Sequence, residues 1–133
     1  MNCTRVILAG VAGGIVATMA NFVMHGMIMA SAYMKYPVFT KEQANPLWFF
    51  LVGICIGIPV AILFAKTRES WANGVMGGVT FGFFLGLVSF FPPFYDSLVI
   101  EGFPYHLSWC WGGINLIGFV VYGLVIGAIY KSK

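Results

Sequence analysis

The sequence predicts an all-α integral membrane protein, a four-helix bundle of two transmembrane hairpins with both termini in the cytoplasm. Three observations predict it. Of the 133 residues, 60% are hydrophobic and 8% charged, against about 25% charged in soluble domains. Four apolar stretches reach the roughly 20 residues that a helix needs to cross the hydrocarbon core. Every Lys, Arg, Asp and Glu lies outside those stretches. The composition is also far from that of disordered chains, and the length fits one domain over 1–133.

The spans run over about 6–30, 47–65, 72–91 and 108–130. They are too long and too uniformly apolar for barrel strands, whose faces alternate. A helix satisfies its own backbone in lipid, which offers no partner for N–H or C=O. The first span follows Arg5 and ends near Ala30-Ser31-Ala32, as a signal peptide would. Its apolar run is longer than a typical h-region, so we read it as a retained helix. Asn2-Cys3-Thr4 matches a glycosylation sequon, but its expected cytoplasmic side argues against use. Pro59 should bend the second span, and Pro92-Pro93 should stop the third.

Basic residues set the orientation. Arg5, Lys66, Arg68, Lys131 and Lys133 fall on one side, which is therefore the cytoplasm. The other side has Lys35 and Lys41, with the acids Glu42, Asp96 and Glu101. Trp48, Trp109 and Trp111 open spans on the outer side and Trp71 sits at the inner side, as in an aromatic belt. The net charge of +3 suits contact with the inner leaflet, and no basic run points to nucleic acid.

Glycine is the strongest positional signal. Gly10 and Gly14, Gly53 and Gly57, and Gly123 and Gly127 have GxxxG spacing. Gly74, Gly78, Gly82 and Gly86 extend it into a ladder. Such faces let helix backbones approach closely. They pack helices within this chain, or the third-span ladder faces another subunit. Gly10-Val11-Ala12-Gly13-Gly14-Ile15 also recurs as Gly74-Val75-Met76-Gly77-Gly78-Val79, as in a repeat of two hairpins. The outer loops, about 31–46 and 92–107, are rich in Pro and aromatics and suit a cap over the bundle.

The polar residues inside the spans are the candidate site. Asn21 and Asn115 lie at one depth, where their amides can bond across spans one and four or hold a ligand. His25 follows Asn21 on one helical face, and His106 opens span four. Both histidines belong to the outer end and are candidate ligands for a haem or pigment, since neutral imidazole is a good axial donor. Met24, Met27 and Met29 surround His25, with Met29 on its face and Cys110 at similar depth. Thioether, thiolate and imidazole together suit copper, while methionine also fills apolar gaps. Cys3, Cys55 and Cys110 are predicted at three different depths, too far apart for a disulfide.

Absences narrow the function. No span holds an Asp, Glu, Lys or Arg, the residues that mark proton relays and substrate paths in coupled transport. Ser89 and Thr80 have no intramembrane base nearby, and Asp96, Glu101 and His106 match no catalytic spacing. With Arg5 ahead of a glycine-rich opening, Asn21 in span one, Pro46-Leu47-Trp48 opening span two and glycine-rich later spans, the chain resembles small four-helix bacterial inner-membrane proteins of unknown function. That resemblance implies no activity. The leading expectation is a non-catalytic membrane subunit that packs against itself or other membrane subunits. The alternatives are a cofactor-binding redox or pigment protein built on His25 and His106, and a small channel or carrier lined by Asn21, His25 and Asn115.

Overall fold

The computed structural model describes residues 2–39 and 45–130, which form helices and turns with no strand among them. Lys41, Glu42, Lys131 and Lys133, used above for orientation, lie outside the described residues. Helix α1 spans Cys3–Phe22 and continues as a π-helical turn, Val23–Ile28. It starts earlier than hydropathy predicts because the Asn2 side chain accepts from the Arg5 N–H at 3.1 Å, capping the helix. A short helix α2 (Ala30–Tyr33) and a 3-10 turn (Pro37–Phe39) follow. Helix α3 (Leu47–Lys66) runs unbroken through Pro59, and its first N–H donates to Asn45 Oδ1 at 3.0 Å. Helix α4 covers Val75–Phe90, α5 Pro93–Val99 and α6 Tyr105–Ile129. Pro92 and Pro93 separate α4 from α5, as the sequence predicts. Four of these helical stretches are long and apolar enough to cross a membrane.

The packing inverts that of a soluble protein. Helix α1 buries Val6, Ala9, Gly10, Gly13, Gly14, Ala17 and Thr18, while Leu8 and Phe22 are 58% and 65% exposed. Helix α4 buries Gly77, Gly78, Gly82 and Gly86 around Phe81 and exposes Phe84 and Val88. Lipid removes the reward for burying large apolar side chains. Small residues therefore collect where backbones meet.

Helix α1 packs on α3 and on α6, and α6 packs on α4, so the spatial order is α3, α1, α6, α4. Gly10 and Gly14 meet Gly57 and Gly53 across the first contact. A methyl at Gly10 would stand 2.7 Å from Ile58 Cα, and one at Gly14 2.6 Å from the Gly53 carbonyl oxygen. Across the last contact Gly78 meets Gly123 and Gly127, Gly82 meets the Phe119 backbone, and Gly86 meets Leu116. The third-span ladder thus lies against α6 of the same chain. Its first rung departs from expectation. Gly74 precedes α4 with φ of +70° and ψ of −149°, and a methyl there would touch nothing within 4 Å. Glycine is needed at that position for backbone conformation, not for helix contact. The two copies of the apparent repeat differ here, since Gly10 lies inside α1.

Asn2, the α3–α4 connection and Tyr130 mark one end of the bundle, here the terminal end. It closes on Phe64, which is fully buried against Phe81 at 5.2 Å and Tyr130 at 6.4 Å between ring centroids. Arg68 lies over the Phe64 ring and is itself buried, in contrast to the solvent-facing charge its sequence position suggests. Its guanidinium donates to the carbonyls of Trp71 and Ala72 at 2.9 and 3.0 Å and to Asn73 Oδ1 at 3.1 Å. The loop turns tightly enough to wrap its own cation, whose donors satisfy carbonyls that follow the helix end.

Candidate functional site

The opposite, distal end gathers the chemistry-bearing side chains. It begins with the widened turn at Val23–Ile28, where the Met29 N–H bonds five residues back to Met24 O at 3.0 Å. Single π turns inside α-helices often mark functional sites. This one carries His25, with Asn21 just ahead of it in α1 and Met29 at the bend just beyond.

The chain then turns back through α2 and brings the Tyr33 hydroxyl into a short hydrogen bond with His25 Nδ1. From α6, the Trp111 Nε1–H donates to the same hydroxyl at 2.7 Å. Phe39 and Phe103 pack on this core, with ring centroids 5.9 and 5.1 Å from Trp111. Phe103 is buried, and His25, Tyr33, Phe39 and Trp111 are half-buried. Trp111 thus belongs to an internal cluster, whereas Trp48 and Trp109 are 63% and 53% exposed. Burial pushes the Tyr33 phenol above its ordinary value, the Trp111 hydrogen bond pulls it down, and neighbouring Cys110 adds to the rise. Tyr33 therefore remains protonated at neutral pH.

The other predicted site residues are dispersed. His106 is exposed and packs against Tyr36 at 6.0 Å, so the two histidines have separate neighbours. Cys110 is half-buried, and Cys3 and Cys55 are exposed; all are free thiols. Among the described residues no three His, Cys, Asp or Glu side chains gather as metal ligands.

Asn21 and Asn115 do not bond to each other, although α1 and α6 touch. Asn115 Nδ2 donates to the Ser89 carbonyl at 3.0 Å, and Asn21 Oδ1 lies buried beside Gly118 with no hydrogen-bond partner among the described residues. The Ser89 carbonyl is nearer because α4 and α6 approach closely along the glycine ladder.

Three other polar groups on the long helices, Thr18, Tyr122 and Ser108, also hold helices together. Thr18 Oγ1 donates to the Phe49 carbonyl at 3.5 Å, and the buried Tyr122 hydroxyl donates to the Gly53 carbonyl at 2.8 Å. Ser108 Oγ donates to the Pro93 carbonyl at 2.9 Å, fixing α5 on α6. Sequence reasoning singled out His25 but missed Tyr33, eight residues on in a loop. It also missed that Trp111 completes the cluster. Only the density of aromatics in both outer loops hinted at it. Comparisons with protein-family models, curated proteins and solved structures find no match for this chain.

Proposed function

We propose that this chain is a non-catalytic membrane subunit, with both termini cytoplasmic, that stabilises a larger membrane assembly or an oligomer. The observation that carries this reading is where its intramembrane polar groups go. Thr18, Asn115 and Tyr122 each donate to a backbone carbonyl of a neighbouring helix. Such bonds join helices instead of lining a shared path, which speaks against a channel or carrier. The large side chains turned outward on the long helices, Leu8, Phe84 and Val88 among them, leave apolar surface for lipid or another subunit. The glycine faces are occupied within the chain, so contacts with partners fall to these outward side chains.

Native mass spectrometry of protein extracted gently from its own membrane tests the reading. Co-purifying membrane subunits or a homo-oligomer are expected. A lone chain would overturn it. Orientation is read separately with an impermeant maleimide, since Cys3 lies exposed at the terminal end. Labelling of Cys3 only after the membrane is opened is expected.

A further inference from the structure

Trp111, Tyr33 and His25 form a hydrogen-bond chain whose direction is set at its first member. An indole N–H only donates, so the Tyr33 oxygen accepts from Trp111. The phenol proton then has His25 Nδ1 as its acceptor among the described residues. If both rings donated to Tyr33 instead, the phenol proton would have no acceptor among the described residues. An imidazole that accepts at Nδ1 is neutral and carries its proton on Nε2. Nε2 makes no hydrogen bond among the described residues. It stands in the last turn of an apolar span whose neighbours Phe22, Met27 and Ile28 are 65%, 66% and 67% exposed. A fixed donor among lipid-facing side chains needs an acceptor from outside the chain.

We propose that His25 Nε2–H binds the carbonyl oxygen of a membrane-soluble ligand, either the ester carbonyl of a phospholipid or the ring carbonyl of a quinone. A neutral donor matches a neutral acceptor in this setting. His25 also lies near the end of its span, the level at which ester carbonyls and mobile quinone rings meet the headgroup boundary. Tyr33 and Trp111 act as positioning residues. They fix the tautomer and the ring plane, as the outer partners of ligating histidines do. This inference goes beyond the subunit reading and shares with it only the placement in a bilayer, which incorporation into lipid discs checks first.

The test is nitrogen NMR of the full chain, 15N-labelled at histidine, in discs of ester-linked or ether-linked phosphatidylcholine. A His106→Gln variant assigns the remaining signal to His25. The expected result is an unprotonated Nδ1 and a protonated Nε2 in both lipids. A hydrogen-bond shift of Nε2 in ester discs, absent in ether discs, identifies the lipid. A shift in ether discs only after adding decylbenzoquinone identifies the quinone. Tyr33→Phe should abolish the tautomer preference and weaken either shift, with circular dichroism reporting whether the variant keeps its helices. A protonated Nδ1 in the unmodified chain overturns the proposal, with no variant needed. So does an Nε2 signal indifferent to both carbonyl sources.

Discussion

The pairs α1–α3 and α4–α6 reach close contact by different means. In the first, glycines face glycines: Gly10 meets Gly57, and Gly14 meets Gly53. In the second, Gly78 meets Gly123 and Gly127, Gly82 and Gly86 meet the backbone of Phe119 and Leu116, and Gly112 of α6 meets the Phe90 carbonyl. A reciprocal contact is short and is extended by a hydroxyl, Thr18 to the Phe49 carbonyl. The longer ladder continues for more turns and is extended by an amide, Asn115 to the Ser89 carbonyl. At Gly82 and Gly86 a glycine on one helix is enough to bring two backbones together.

Leucine in place of Gly14 or Gly82 should break this comparison most sharply. Each new side chain would meet backbone, which cannot turn aside. Overpacking of this kind costs about 1–3 kcal/mol and sometimes more. Thermal unfolding in lipid discs should show Gly82→Leu to be at least as damaging as Gly14→Leu, because α4 has no second glycine-lined helix to retreat to. Equal stability with the unmodified chain would remove the ladder as a packing device. Gly74→Ala probes the same row without touching a helix contact. Its mirror-region backbone conformation should cost about 1–3 kcal/mol, read as a lower melting temperature with the helix content kept.

Smaller effects sharpen the polar half of the comparison. Asn115→Leu and Thr18→Val should each cost about 0.6 kcal/mol, the average for interhelical hydrogen bonds in membranes. Of the two, Asn115→Leu should cost more, since its bond is 3.0 Å against 3.5 Å. Steric trapping or mild-detergent unfolding can resolve that difference. The smallest change is Gly113→Ala. A methyl there meets nothing within 4 Å, so the helix should gain a few tenths of a kcal/mol in propensity and lose nothing in packing.

Much of the fold was legible because hydropathy is a local signal. The four apolar stretches and the stop at Pro92-Pro93 were readable from hydropathy and proline alone. The glycine spacing pointed to close helix faces but not to their partners, since a period of four says nothing about which helix lies opposite. The π turn left no mark in the sequence. Val23–Ile28 is as apolar as an α-helical continuation would be, so the change of helix type around His25 was invisible. Asn21 and Asn115 illustrate a different limit. Equal depth made them plausible partners, but an amide takes the nearest acceptor, and the Ser89 carbonyl was closer. Arg68 looked like one more cytoplasmic anchor because charge counting ignores that a short loop can enclose its own cation.

The spatial order of the helices has a consequence for how the chain can be divided. Helices α3 and α4 follow each other along the chain yet sit at opposite ends of the row, and the main contact between the halves is α1 on α6. The hydrogen bonds of Arg68 go to Trp71, Ala72 and Asn73, and its ring contact is with Phe64, so a cut after Asn73 would leave them intact. The two pieces, each a close-packed helix pair, should therefore find one another when made as separate polypeptides. A tag on one piece should retrieve the other from the membrane. The covalent link at that point would then act as a tether that raises local concentration, while recognition between the halves resides in the α1–α6 seam, with Phe64 on Phe81 and Tyr122 on the Gly53 carbonyl beside it.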